Sequence, residues 1–526
     1  MAKKQISLGT HWEMLGVTAL LFVVVAVFVD LKPAVDENFF FSTSDPGVRE
    51  SKKVEQRFPS QPQLILAVSS QDISSPRYLG RIQRLTQQIE AIDEVSAVKS
   101  LTAGPKSFQD AVQGEFWRRL LIAKNRKSSN VIVFLENKDP EKPIKRVERI
   151  IHELDEKDFR IHIAGPPYVV EMIRRSLAHD FWYFSLTAVV LFGLTMAAMF
   201  RSVRVFLGML ATCASAVLLT LLLQSIFGRR IGILTVNLGT IVFVVALSHL
   251  VYMTFNWQTL ADRGHRLGKE SPNLARDARR MTFPPSFWSM VCASLGFGSL
   301  LIVQAKPLRE LGFGGVLGTV VAFICAYVMY PPFLRWAVPR KSKLIEQEPP
   351  RAFWSRRFVL LSLGVILVSA GLGLGLGKVN TDPSLLDYFK PHSELRDGLE
   401  YVDDSGGCNP LNLVVSAADG SLLNTDAAYE KMWRLHGALE NYKDVGTVIS
   451  LPTLLSEGDR TPFSFLISYE HMMRIMEEPK HSRVADSFVN KDRTQAVFLL
   501  RMVEDRRDKY RVNVVDDLRD IARKHG

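Results

Sequence analysis

The residues with the clearest chemical potential lie in one apolar stretch, residues 232–257. This stretch contains no Asp, Glu, Lys or Arg, yet it includes His249, with Ser248, Tyr252 and Asn256 nearby. An imidazole gains or loses a proton near neutral pH because its unperturbed pKa is about 6.5. In a helix, positions i, i+3 and i+7 share a face, so we expect His249, Tyr252 and Asn256 to line one side. These three residues and Ser248 are therefore candidates for proton coupling.

Other interpretations of the same residues remain open. Ionisable groups inside a membrane span usually face the protein interior or a water path and mark ion pathways. His249 is also compatible with a neutral, hydrogen-bonded packing residue, or with a contact for lipid or substrate. Asn256 suits either a water-accessible relay or a helix interface, and the interface is favoured because amides hydrogen-bond across membrane helices.

Seven apolar segments have the length needed to hold these side chains inside a membrane. A transmembrane helix needs about 20 apolar residues. The chain has 526 residues, of which 47% are hydrophobic and 23% charged, which fits a protein divided between lipid and water. The predicted spans are 13–30 (the first), 180–338 (the second to sixth) and 358–377 (the seventh), with a cytoplasmic linker at 339–357.

The net charge of +11 is explained by topology. Much of the Lys and Arg excess lies in short segments between the spans, as the positive-inside rule expects of cytoplasmic loops. The bias places the N-terminus in the cytoplasm and both longer soluble segments on the opposite side. The charge therefore gives no reason to expect nucleic-acid binding.

The two longer soluble segments are residues 31–179 and 378–526. In the first, the pattern predicts strand, helix, strand, a helical insert, strand, helix and strand. The order βαββαβ predicts an α+β domain of the ferredoxin-like type.

The second soluble segment repeats the first. Residues 41–70 resemble residues 389–418 at a constant offset, with Pro62 aligned to Pro410. Both copies continue as strand, helix, strand, insert, strand and helix, but only the first copy has a final strand. A sheet without that strand exposes unpaired backbone groups. We therefore expect a truncated second domain, completed by a missing second membrane half or by a partner chain.

The chain has one span, a large soluble domain and five more spans, and then begins the same order again with a seventh span and a second soluble domain. This layout resembles the RND (resistance–nodulation–division) superfamily. The resemblance is to its MMPL branch, which includes the mycobacterial large membrane proteins and hopanoid exporters. Residues 294–318, SLGFGSLLIVQAKPLRELGFGGVLG, look like the fifth-to-sixth helix segment of that family. Residues 159–169, FRIHIAGPPYV, look like the strand and turn before its second helix.

The resemblance implies an exporter of lipids or other hydrophobic compounds, driven by the proton-motive force. It implies a bacterial inner-membrane protein with seven transmembrane helices, a bundle like the sterol-sensing domain, and two periplasmic porter domains. In such proteins the fourth helix usually carries an acidic residue that takes up and releases a proton. Here His249 lies at or beside that position, with Tyr252 where a polar companion often lies. Because this chain departs from the pattern, the alternative is a non-transporting scaffold or a lipid- or sterol-sensing protein.

The expected partners follow from the same resemblance. They are the membrane, a hydrophobic or lipid substrate, the missing half and, in a homo-oligomer, further copies of the chain. The soluble segments show no nucleophile elbow, phosphate loop or metal-ligand spacing, so we expect no enzyme activity, cofactor or metal. The four cysteines form no disulfide framework.

Overall fold

The structure is a computed structural model in which two units can be described separately. It describes residues 10–33, 35, 46–58, 61–136, 140–268, 273–339, 356–375, 379, 382–457, 468–476, 487–505 and 507–526. Residues 1–45 and 173–375 form one unit, here called the membrane unit. Residues 46–172 and 376–526 form the other, here called the soluble unit.

The first part of the chain contains one membrane helix and the first soluble segment. Thr10 caps the first helix: its hydroxyl accepts the Glu13 amide, and the Glu13 carboxylate accepts the Thr10 amide. The elements are α1 (His11–Phe28), α2 (Pro46–Arg57), β1 (Gln63–Ser69), α3 (Pro76–Glu90), β2 (Val95–Lys99), α4 (Phe108–Gln113), α5 (Glu115–Leu121), β3 (Ser128–Leu135), α6 (Glu141–Leu154) and β4 (Arg160–Ala164).

The remaining membrane helices follow β4. The predicted domain boundary after residue 179 falls inside the first of them, because this helix already begins at Pro166. The helices are α7 (Pro166–Phe200), α8 (Val203–Ile226), α9 (Leu238–Leu267), α10 (Leu274–Ser299), α11 (Lys306–Val328), α12 (Pro331–Trp336) and α13 (Arg356–Gly373).

Six described helices are long and apolar enough to cross a membrane, namely α1 and α7 to α11. The apolar part of α13, Val359–Gly373, is shorter, so the seventh span stays a prediction. Most of the predicted linker at 339–357 lies outside the described residues. Among the six spans, α8, α9 and α11 are the most buried, and they form the interior of the membrane unit.

The second soluble segment repeats the order of the first up to its last helix. After a turn of 3-10 helix at Leu385–Tyr388, a long helix precedes the first strand. The elements are α14 (Glu394–Gly406), β5 (Asn409–Val415), α15 (Asp426–Glu440), β6 (Val445–Ile449), α16 (Leu451–Leu455), α17 (Tyr469–Met476), β7 (Ala496–Met502) and α18 (Arg511–Lys524).

The two sheets of the soluble unit share their strand order. The first is antiparallel with the order β2-β3-β1-β4, and the second has the order β5-β7-β6. The register shifts between Val95 and Ala97 in β2, and it shifts again between Val445 and Thr447 in β6. The two copies therefore share not only the order of their strands but also a local irregularity in strand pairing. The predicted order of strands and helices is present, while the ferredoxin-like class of the domains stays a prediction.

A helix of the second soluble segment packs into the core of the first segment. Leu395, Leu399 and Val402 of α14 belong to the same apolar core as the first sheet. Gly398 permits close contact with β4, since a Cβ there would lie 3.0 Å from the Ile163 carbonyl oxygen. The first sheet is therefore completed by a helix from the second segment.

Candidate functional site

The candidate residues lie on α9. Thr235–Asn237 form one turn of 3-10 helix before it, and the Gly232 amide donates to Thr235 Oγ1 at 2.6 Å. The helix ends where Gly268 adopts the left-handed conformation, with φ at 61°, which glycine reaches without steric cost. At 1.5 Å per residue, α9 is about 45 Å long and exceeds the roughly 30 Å hydrocarbon core of a bilayer.

His249 lies in the interior of the membrane unit with 2% of its surface exposed. Its ring meets that of Phe323 on α11 edge to face, with the centroids 5.8 Å apart and the planes at 84°. His249 Nε2 has no hydrogen-bond partner among the described residues. A buried polar atom without a partner costs about 1–3 kcal/mol and requires an explanation. Among the described residues, no hydrogen bond of Nε2 therefore explains the burial of this histidine.

Two other polar groups of α9 are paired with neighbouring segments. Asn256 Nδ2 donates to Thr282 Oγ1 of α10 at 2.9 Å, which supports the helix-interface interpretation of Asn256. Thr254 Oγ1 donates to the Leu250 carbonyl at 2.7 Å and lies 2.5 Å from the Tyr330 hydroxyl. Because Thr254 already donates its only hydroxyl hydrogen to the Leu250 carbonyl, Tyr330 is the donor in this second contact.

Small residues of α11 allow α9 to approach it closely. A Cβ on Gly318 would lie 2.3 Å from Val242 Cγ2 of α9, and one on Gly315 would lie 2.2 Å from the Phe297 ring of α10. Small residues at helix contacts are the usual means by which membrane helices pack tightly. The glycines of α11 thus let this helix pack closely against both α9 and α10.

A comparison with known protein families assigns the chain to a family. The model of the MMPL family matches residues 41–362, which include the first soluble segment and all the helices from α7 to α12. The chain belongs to the MMPL family. Together with the six apolar helices, membership makes it a multi-pass membrane protein and confirms the resemblance found in the sequence.

The MMPL chain also matches solved structures, among them that of a pump. The structure is titled as the X-ray crystal structure of a heavy metal efflux pump, with 12% identity and a TM-score of 0.37. The alignment covers 94% of this chain and 49% of that chain, so the MMPL chain spans about half the length of the pump. No curated protein matches the chain.

Ser248 and Tyr252 are exposed residues of α9 in the MMPL chain. Tyr252 is 47% exposed, and the exposed Ser248 hydroxyl donates to the Val245 carbonyl at 2.7 Å. Tyr252 is therefore exposed at the edge of the helical face on which His249 and Asn256 are buried. The coupling roles of all four residues stay predictions.

Sequence reasoning missed the aromatic neighbours of this site. Phe323 contacts His249, and Tyr330 contacts Thr254. The available signal is the spacing of Phe323, Tyr327 and Tyr330, which puts aromatic rings on one face of a helical stretch.

Within the described ranges, no group of three His, Cys, Asp or Glu side chains is placed to hold a metal ion.

Proposed function

We propose that this MMPL chain is part of an RND-type transporter that exports lipids or other hydrophobic compounds from the bacterial inner membrane, driven by the proton-motive force. Its soluble segments are two ferredoxin-like porter domains on the periplasmic side. Family membership, the six apolar helices and the repeated strand order support the proposal. The substrate, a second membrane half and a homo-oligomeric assembly belong to the same proposal.

The unpartnered Nε2 atom of His249 carries the proposal. The imidazole is the titratable group on the buried face of α9, and it can exchange one proton without breaking a hydrogen bond among the described residues. This is the property required of a group that must both bind and release a proton in each cycle.

Protonation of His249 couples to helix packing through the cost of a buried charge. The ring packs against Phe323, and no carboxylate forms an ion pair with His249 among the described residues. An uncompensated charge in such surroundings costs several kcal/mol. Proton uptake therefore favours a conformation in which α9 and α11 admit water or a counter-charge to the ring, and proton release favours the packing seen here.

One observation favours a second function, a scaffold or a lipid- or sterol-sensing protein without transport. Residues 232–257 contain no carboxylate, although the related exporters usually carry one on this helix. A sensor needs the same helices and the same buried polar groups but no proton flux.

Proton flux through the reconstituted chain tests the proposal. The 526-residue chain is placed in liposomes that contain a pH-sensitive dye, and a pH gradient is imposed. We expect a flux above that of empty liposomes, and we expect His249→Ala to reduce it at least tenfold. His265→Ala is the matched control, because His265 is exposed near the end of the same helix, and its flux should equal that of the unchanged chain.

The outcomes separate the two functions. Both variants must elute and unfold like the unchanged chain, so that lost flux reflects lost chemistry. Normal flux in His249→Ala would remove this residue from the mechanism. Absence of flux both in the unchanged chain and in a protein that also contains the second membrane half would favour the scaffold or sensor.

A further inference from the structure

Trp336, the last residue of α12, is held in place by the packing of its own short helix. Phe333 and Leu334 of α12 are almost completely buried. Gly208 of α8 permits close contact with them, because a Cβ on Gly208 would lie 2.5 Å from Phe333 Cβ. Trp336 itself is half-buried, so its indole ring forms part of the surface of the membrane unit.

Two helices distant in sequence bring side chains to the Trp336 ring. The imidazole of His11, the first residue of α1, stacks on it with the centroids 4.4 Å apart and the planes at 3°. The guanidinium of Arg204, in the first turn of α8, lies 5.2 Å from the ring centroid. Arg204 Nη1 also donates to the Trp336 carbonyl at 3.2 Å. These three residues, His11, Arg204 and Trp336, are here called the Trp336 cluster.

The Trp336 cluster has hydrogen-bond donors that find no acceptor among the described residues. Arg204 donates through Nη1, whereas its Nε and Nη2 form no hydrogen bond in the described part of the chain. The same holds there for the indole nitrogen of Trp336 and the ring nitrogens of His11. The forked Nε and Nη2 donors of an arginine match two oxygens of a phosphate group. The cluster therefore has the donors that an oxyanion requires.

The charge of the Trp336 cluster is not balanced by a carboxylate. Within the described ranges, no ion pair joins Arg204 or His11 to an acidic side chain. Glu13, the acidic residue nearest to His11 in sequence, accepts the Thr10 amide at 2.8 Å. The exposed Arg204 guanidinium therefore attracts an anion from outside the chain.

The position of the Trp336 cluster indicates a lipid as the source of this anion. α1 and α8 both begin beside the cluster and run in parallel, since Thr18 Oγ1 of α1 lies 2.8 Å from Ser215 Oγ of α8. Arginine and tryptophan at the ends of membrane helices lie at the level of the lipid headgroups. Next to Arg204, the apolar side chains of Val203 and Leu207 are exposed on α8. A cation with an apolar strip beside it suits an amphiphile better than a soluble ion.

We propose that the Trp336 cluster binds the headgroup phosphate of one anionic phospholipid. Arg204 donates to the phosphate oxygens through Nε and Nη2, and the Trp336 indole and the His11 imidazole add further donors. The lipid thereby joins α1 to α8 and α12 and stabilises the packing of α1, whose span is only 6% buried. In the proposed topology this lipid belongs to the inner leaflet, where anionic headgroups attract basic side chains. The inference does not depend on transport by the chain.

Binding of defined lipids to the delipidated 526-residue chain in detergent tests the proposal. The chain is titrated with phosphatidylglycerol or phosphatidylcholine, and native mass spectrometry gives the dissociation constant of the first lipid bound. We expect phosphatidylglycerol to bind at least tenfold more tightly, because phosphatidylcholine has no net charge. Arg204→Gln should remove this preference. Phosphatidylglycerol should also raise the thermal midpoint of the unchanged chain but not that of Arg204→Gln.

Two further variants distinguish a specific site from general attraction to a basic protein. Arg229→Gln is the matched control, because Arg229 is an exposed arginine just beyond the other end of α8, with its guanidinium 5.5 Å from the centroid of the Phe313 ring. It should bind phosphatidylglycerol like the unchanged chain. Arg204→Lys keeps the charge but loses the forked donors, so it should bind more weakly than the unchanged chain and retain part of the preference.

Four results would overturn the proposal. Equal binding of the two lipids to the unchanged chain would show that only the acyl chains are recognised. Unchanged preference in Arg204→Gln would remove the cluster from lipid binding, and an equal loss in Arg229→Gln would show unspecific attraction to positive charge. If inorganic phosphate at constant ionic strength displaces phosphatidylglycerol, the cluster is a site for soluble phosphate and not for a lipid.

Discussion

His249 and His436 are both 2% exposed, but their surroundings differ. His436 Nδ1 lies 3.0 Å from Ser450 Oγ, and its Nε2 lies 3.7 Å from a carboxylate oxygen of Glu440. His249 instead meets an aromatic ring. The Nε2 atoms of both histidines lack a hydrogen-bond partner among the described residues. Because His436 has a hydroxyl and a carboxylate beside it in the soluble unit, His249 is the buried histidine to test for proton transfer.

Glu440 links the two soluble segments through a cation. Arg119 of α5 donates to both of its oxygens, at 3.0 and 2.8 Å. His436 and Arg119 hold the pKa of Glu440 at about 2, below its usual value of 4.5. Because the folded-state pKa is lowered, this carboxylate stabilises the fold above about pH 4.5, and the contribution is lost as the pH falls towards 2.

Replacement of Arg119 should therefore have a pH-dependent effect. We expect Arg119→Met to lower the free energy of unfolding by about 1–2 kcal/mol at pH 7 and by much less at pH 2. Thermal unfolding of the detergent-solubilised chain at several pH values measures this. Arg434→Met serves as the control, because the Arg434–Glu430 pair on α15 is exposed, and it should change nothing. An equal loss at pH 7 and pH 2 would show that Arg119 acts through packing.

The sequence predicts the identity of the site residues better than their orientation. The lack of other ionisable groups in residues 232–257 singles out His249, and the structure places it in the interior. Helical spacing alone does not reveal how far the packed side of α9 extends, so it does not predict that Tyr252 is exposed while His249 and Asn256 are buried. The contacts with Phe323 and Thr282 join helices distant in sequence and leave no local signal.

Among the helices, α11 is the element whose side-chain size matters most for the site. Glycine normally destabilises a helix by about 1 kcal/mol relative to alanine. At Gly318 this preference is reversed, because a Cβ would lie 2.3 Å from Val242 of α9. Overpacking of this kind typically costs about 1–3 kcal/mol.

A pair of alanine substitutions distinguishes these effects. We expect Gly318→Ala to lower the thermal midpoint of the detergent-solubilised chain and to reduce proton flux, since α9 must shift. Gly296→Ala on α10 should leave both unchanged or raise the midpoint, because nothing lies within 4 Å of the added Cβ. Indistinguishable midpoints for the two variants would show that α9 and α11 do not pack as described.

The order of elements could be predicted from the sequence, but their long-range pairing could not. Apolar runs indicate the membrane helices, and the repeat indicates the second set of strands. The packing of Leu395, Leu399 and Val402 into the core of the first sheet depends on residues far apart in the chain. The start of α7 at Pro166 was also missed, because the polar residues that follow mask the continuity of the helix.

For the molecule as a whole, the way the soluble unit is built determines whether its two segments lie on the same side of the membrane. Both soluble segments contribute to it, and the bonds from Arg119 to Glu440 and the packing of α14 join them. Two segments that share a core must lie on the same side of the membrane. Export by a duplicated RND-type transporter requires that this side be the periplasm.

Site-directed labelling tests this requirement directly. In a chain whose four cysteines have been replaced, Ser74→Cys and Ser421→Cys place thiols at exposed positions of the two soluble segments, and Leu267→Cys marks the end of α9. We predict that a membrane-impermeant maleimide added to the periplasmic side labels the first two thiols, and that it reaches the third only after the membrane is permeabilised. Labelling of Ser74→Cys and Ser421→Cys from opposite sides would contradict the shared soluble unit, and with it the repeat and the proposed transporter.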